Sequence, residues 1–172
     1  MDTEDAVTPP GQWFGLRVRP RGEALAAAGL RARGYEELSP TYISRRRWSD
    51  RYKSIQLPLF PGYVFCRFDP RFRLPVLTTP GVVAVVGIGP VPHPVEEAEM
   101  AAIRTVVHSG VLAQPLPFLR EGDRVRIEEG PLTGTEGMIV TLKGSCHLVV
   151  SISLLQRSVA IEIARHWARP IV

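Results

Sequence analysis

The chain changes character near residue 110. Upstream, helix-forming and strand-forming runs alternate; downstream, short β-branched runs follow one another between glycine-rich turns. Interleaving of the first kind argues for a compact α/β sandwich with a largely antiparallel sheet. Several short strands within about 54 residues argue for a small β-barrel. The expected fold class is therefore α+β, in two parts. The expected boundaries are a disordered tail over 1–11, a first domain over 12–110, a proline-containing linker over 111–118 and a barrel over 119–172.

Within the first part, Trp13–Arg19 reads as a strand, with Leu16 and Val18 opposite Arg17 and Arg19. Glu23–Arg33 is Ala-rich and stops at Gly34, so it reads as a helix. Tyr35–Ser44 reads as a strand, with Pro40 marking a bulge or an edge. Residues 45–53 (RRRWSDRYK) are polar and read as a hairpin tip, with Ser54–Leu57 returning. Tyr63–Phe68 is a strand and Phe72–Thr79 a short helix. Val82–Val86 is a further strand, and Val95–Ser109 an amphipathic helix ended by Gly110. In the second part, strands are expected at Arg124–Glu128, Thr135–Leu142, Cys146–Ile152 and Val159–Ile163. Val149, Val150, Ile152, Val159, Ile161 and Ile163 are β-branched, which favours strands over a helical hairpin there.

Charge is unevenly placed. The net charge is only +4, but residues 12–73 carry 13 bases against 5 acids, and 12 of those bases are Arg. Residues 111–172 are almost balanced, with 7 bases and 6 acids. Arginine's planar fork suits phosphate, so the clustering points to nucleic acid; the alternative is a solvated surface from an Arg-preferring genome, which explains the choice of Arg but not the clustering.

Signals for catalysis are missing. The four histidines lack metal-ligand spacing, and the adjacent acid pairs, such as Glu36–Glu37, point to opposite faces of a strand. No GxSxG, Walker or GxGxxG pattern occurs, and the two cysteines lie too far apart in sequence for a CxxC motif. No enzyme, metal or cofactor is expected. The uncharged stretch from Leu74 to Val95 is broken by prolines and glycines, so no membrane span is expected either. The N-terminus is acidic without an apolar core and does not read as a secretory signal. The expectation is a cytoplasmic monomer.

Two signatures resemble the NusG family of transcription elongation factors. Leu59-Phe60-Pro61-Gly62-Tyr63-Val64-Phe65, preceded by Trp13-Phe14 and followed by Thr79-Pro80-Gly81-Val82, resembles the family's N-terminal domain. Arg120-Glu121-Gly122-Asp123-Arg124-Val125-Arg126-Ile127, continuing through Gly130 to Gly137, is similar to the start of its KOW barrel. The segment Arg47–Arg51 resembles the specialised UpxY and RfaH type more than the housekeeping member. The resemblance implies that Phe60, Tyr63 and Phe65 face the clamp helices of the largest RNA polymerase subunit, where an exposed aromatic cluster would be a natural hot spot. Plain core packing is the alternative, equally open for Phe65, while the Tyr63 hydroxyl favours the interface. It also implies that Arg19, Arg21, Arg71 and Arg73 approach the non-template DNA strand, although the polar triplet of RfaH is absent. Phe72 either stacks on an unpaired base or, the blander reading, packs into the core. Arg45, Arg46 and Arg47 add a sequence-independent positive tip or, the blander reading, form a solvated hairpin end. The loop with Ile152, Leu154 and Leu155 corresponds to the family's site for a second partner, such as ribosomal protein S-ten or Rho, and departs from the housekeeping pattern. The implied activity is suppression of pausing or termination. A ribosome-associated RNA-binding protein of KOW type is the alternative, and it needs basic charge on the barrel.

Overall fold

The computed structural model describes residues 11–118 and 122–171. Most of the expected tail, together with Leu119, Arg120 and Glu121 at the start of the second signature, lies outside them. In chain order the elements are β1 (Gln12–Val18), α1 (Glu23–Ala32), β2 (Glu36–Leu38), β3 (Thr41–Trp48) and β4 (Arg51–Pro58). There follow β5 (Tyr63–Phe68), α2 (Leu74–Leu77), β6 (Val82–Val85), β7 (Gly87–Ile88), β8 (Val91–Pro92) and α3 (Glu97–Ser109). The remainder is β9 (Ala113–Pro117), β10 (Asp123–Ile127), β11 (Glu136–Leu142), β12 (Ser145–Ile152), β13 (Arg157–Glu162) and β14 (Ala168–Pro170). No described helix is long and apolar enough to cross a membrane.

The chain divides into two compact units, one of residues up to 39 with 62–95, the other of 40–61 with 96 onward. In the first, a four-stranded antiparallel sheet runs β2-β5-β1-β6. Strand periodicity turns Phe14, Leu16 and Val18 of β1 and Val64, Cys66 and Phe68 of β5 to one face. They pack there with Ala26, Ala27 and Leu30 of α1 and Val76 of α2. Phe14 and Phe68 stack at 4.7 Å between ring centroids, tilted by 37°. Arg33, at the end of α1, donates to the Pro75 carbonyl and to the Thr78 hydroxyl (3.0 Å), tying α1 to α2.

The second unit contains the β3–β4 hairpin, α3 and a six-stranded antiparallel sheet ordered β14-β10-β11-β12-β13-β9. Its core gathers Val125, Ile127, Leu132, Leu148, Val150, Ile161 and their neighbours. Gly137 is required by packing: a Cβ there would sit 2.5 Å from the Val149 carbonyl oxygen of the adjacent strand. The helix α3 lies against β12, and its Glu99 carboxylate accepts from the Ser153 amide at 3.1 Å and from the Ser153 hydroxyl.

Three expectations change. Residues 113–117, read as linker, form β9, paired with β13 from Ala113↔Ile161 to Pro117↔Arg157. Proline is tolerated because β9 is the edge strand and needs donors on one side only. The expected strand over 35–44 splits at Ser39–Pro40, since proline cannot donate to a ladder. Residues 45–53 are not a loose tip: they pair through Arg45↔Ser54, Arg46↔Lys53, Arg47↔Tyr52 and Trp48↔Arg51 around a two-residue turn. The β-branched runs of β12 and β13 are strands.

Candidate nucleic-acid interface

The Phe60–Phe65 segment is organised around Gly62. Its φ of 84° is left-handed, a region glycine enters without the Cβ penalty. Both of its backbone groups are engaged. The Gly62 amide donates to the Glu23 carboxylate at 2.9 Å, and its carbonyl accepts from the Val18 amide at 2.9 Å. Glu23 is only 8% exposed, so a buried carboxylate at the first turn of α1 fixes where β5 begins. Sequence reasoning missed Glu23; its only signal was an acid at the start of a helix, which the helix dipole explains equally well.

The expected exposed aromatic cluster is not there. Phe60 and Phe65 are buried, at 1% and 0% exposure. Phe65 lies on the face of β5 opposite the α1 cluster and pairs with Gly15, while Trp13, on that same face of β1, is 3% exposed. The sheet is thus buried on both faces at these positions, and alternation alone could not reveal that. Tyr63 remains half-buried, opposite the exposed Arg17 in the β1–β5 register. Arg17 was not singled out from the sequence; the register of β5 against β1 is what places it beside Tyr63.

The predicted arginines are exposed. Arg19 and Arg21 occupy the turn into α1, held by the Arg19 amide on the Gly81 carbonyl and the Gly22 amide on the Arg19 carbonyl. Arg21 adopts φ 60°, a costly conformation for a side chain with a Cβ. Arg71 is paired with Asp69 at 2.6 Å. The hydrogen bonds from the Arg71 side chain and amide hold the Asp69 carboxyl below its ordinary range. Arg73 donates to the Pro70 carbonyl at 3.1 Å. Phe72, between them, is 67% exposed with the Arg71 guanidinium 5.7 Å from its ring centre. The core-facing alternative for Phe72 is therefore excluded: it precedes α2 in a short 3-10 turn, and Val76 takes the inward position.

Arg45, Arg46 and Arg47 are all exposed on the hairpin, together with Trp48 and Tyr52. Arg45 lies over Tyr52 and Lys53 over Trp48, at 5.8 and 5.9 Å from the ring centres. Of the second-partner candidates, Ile152 and Leu155 are buried, and Leu154 alone is part-exposed. Among the described residues, no group of three or more His, Cys, Asp or Glu could hold a metal ion.

Comparisons with known proteins bear on this arrangement. The family model described as transcription termination factor nusG matches residues 11–104, more than half of the chain. The chain belongs to the NusG family. The transcription termination/antitermination protein NusG of Thermus thermophilus is 31% identical over 144 residues, covering 74% of this chain and 77% of that protein. Its Lactococcus lactis counterpart is 29% identical, covering 77% and 73%. A solved structure of domain interaction in Thermotoga maritima NusG covers 94% of this chain and 97% of its own, with a TM-score of 0.54 at 20% identity, a likeness of fold. The NusG match spans the Gly62 turn, the arginine turn and the basic hairpin, so all three belong to the family's shared region.

Proposed function

We propose that this NusG-family chain is a transcription elongation factor that binds RNA polymerase and suppresses pausing or termination. The observation that carries the reading is the Gly62 turn: Glu23 and Val18 lock it, and it delivers the half-buried Tyr63 beside the exposed Arg17. On this reading Tyr63 and Arg17 meet the clamp helices of the largest polymerase subunit, while Phe60 and Phe65 support that surface from within. Exposed Arg19, Arg21, Arg71 and Arg73, with Phe72, face the non-template DNA strand. Arg45, Arg46 and Arg47 add phosphate contacts. Leu154 offers the apolar contact for a second partner, for which ribosomal protein S-ten and Rho are the candidates. Kinship with the specialised UpxY and RfaH type rests on the Arg47–Arg51 segment.

Charge pairing favours this over a barrel that binds RNA. In the barrel, Arg126 binds Glu136 (Nε–Oε1 3.0 Å) and Arg169 binds Glu128 at 3.1 Å. Those acids offset the positive charge that phosphate needs.

The test is binding of the full chain to core RNA polymerase. Tyr63→Ala is expected to weaken it by about 2 kcal/mol, the scale of an interface hot spot. Unchanged affinity with an intact fold removes Tyr63 from the interface; no binding by the unaltered chain overturns the reading.

A further inference from the structure

Beyond its half-buried base at Tyr42, Ser44, Ile55 and Leu57, the β3–β4 hairpin leaves both faces exposed. Opposite residues in an antiparallel pair share a face. The register therefore sets Arg46, Trp48, Arg51 and Lys53 on one face, and Arg45, Arg47, Tyr52 and Ser54 on the other. All eight are exposed. Among the described residues, none of the five cations forms an ion pair; the carboxylates that do pair are elsewhere. Asp50, at the turn, is the only acid between residues 41 and 58.

Trp48 is the feature that solvation of a charged hairpin does not explain. It is the largest apolar side chain type, is 69% exposed, and stands within two residues of the tip. Lys53 lies over its ring, and Arg51 is its direct cross-strand neighbour. An indole flanked by cations matches a base with its flanking phosphates: the base stacks on the ring, and the phosphates meet Arg46, Arg51 and Lys53. A duplex offers those cations phosphates but keeps its base faces stacked away from the indole. We infer that the Arg46–Trp48–Arg51–Lys53 face of the hairpin is a stacking platform for an unpaired nucleotide of single-stranded nucleic acid. This rests on the nucleic-acid reading above, which gives the hairpin phosphate contacts only, and adds to it a base-stacking residue on the hairpin itself.

The experiment is fluorescence anisotropy with the full chain at about 50 mM salt, where phosphate contacts are strong. The probes are oligo(dT) and oligo(U) of about 12 nucleotides, within the range one small domain covers, and a DNA duplex of the same length. Trp48→Ala is expected to weaken single-strand binding at least about fivefold, the lower end for loss of one stacked base. Trp48→Phe recovers most of that loss, and duplex affinity stays the same in both variants. The tighter of the two single strands identifies whether displaced DNA or transcript is the source. Trp48 is exposed, so its removal leaves no cavity, and unchanged circular dichroism checks the fold.

Unchanged single-strand affinity in Trp48→Ala overturns the inference, as does an equal loss on duplex. A loss seen with Phe72→Ala but not with Trp48→Ala places stacking at the Arg71–Arg73 turn instead; it overturns the hairpin platform and leaves the wider nucleic-acid reading standing. Absence of all nucleic-acid binding at this salt overturns both, while polymerase binding remains a separate result.

Discussion

At the residue scale, the structure explains a short sequence signature by two backbone hydrogen bonds. Gly62 supplies a conformation, and Glu23 and Val18 supply the partners that make it permanent. Glu23→Ala leaves the Gly62 amide without its acceptor, and a loss of about 1 to 3 kcal/mol in denaturant unfolding is expected. Glu23→Gln, which still offers an oxygen, is expected to lose less. Cys66 makes a second residue-scale prediction. Burial, and secondarily the Glu37 carboxylate, push its thiol up from 9.0 to about 12. The folded chain therefore holds the proton where the unfolded chain releases it. This thiol's contribution to stability is complete below pH 9 and declines as pH rises from there towards about 12. Cys66→Ala is expected to flatten that alkaline decline in a pH series of unfolding curves. A decline of unchanged steepness assigns it to other groups.

At the element scale, most strands and helices follow from local pattern, and the departures have local causes. Alternation, β-branching and glycine turns marked the four central barrel strands within a few residues, because those strands carry their own periodicity. The strand β9 was hidden: Ala113-Gln-Pro-Leu-Pro117 has the composition of a linker and becomes a strand only because β13 offers it an edge. The hairpin extension was hidden similarly, since residues 45–54, Trp48 and Tyr52 included, are exposed on both faces and carry no burial pattern. The α3–β12 contact was also illegible. It is accompanied by hydrogen bonds from Ser153, just past β12, to Glu99, 54 positions away in sequence. Glu99→Ala is expected to remove the acceptor of the Ser153 amide and hydroxyl, costing about 1 kcal/mol. Faster amide exchange at Ser153, with the core of β12 still protected, is the measurement that checks it.

At the scale of the whole molecule, the useful quantity is charge left unpaired, which net charge conceals. A formal +4 divides into a barrel whose Arg126 and Arg169 are matched by Glu136 and Glu128, and a hairpin whose five cations have no acidic partner among the described residues. The clustering of bases was visible in the sequence; their pairing was not. Surface pairs of this kind add little to stability, so their consequence lies in what the surface can attract. Exposed arginines and exposed aromatics then coincide three times, at Arg71–Phe72–Arg73, at Arg46–Trp48–Arg51–Lys53 and at Arg45–Arg47–Tyr52. All three coincidences lie inside the part of the chain that the family model matches.

The identity and order of most elements, the position of the Gly62 turn and the region that carries positive charge were all legible in the amino-acid sequence. These are local properties: side-chain period, backbone freedom and composition act over a few residues. Tertiary packing was needed to show that Phe60 and Phe65 are buried while Tyr63 is half-buried, that Phe72 faces solvent, and that Arg71, Arg126 and Arg169 are ion-paired. Period two says which side chains share a face of a strand, but what the rest of the chain lays against that face decides whether it meets water.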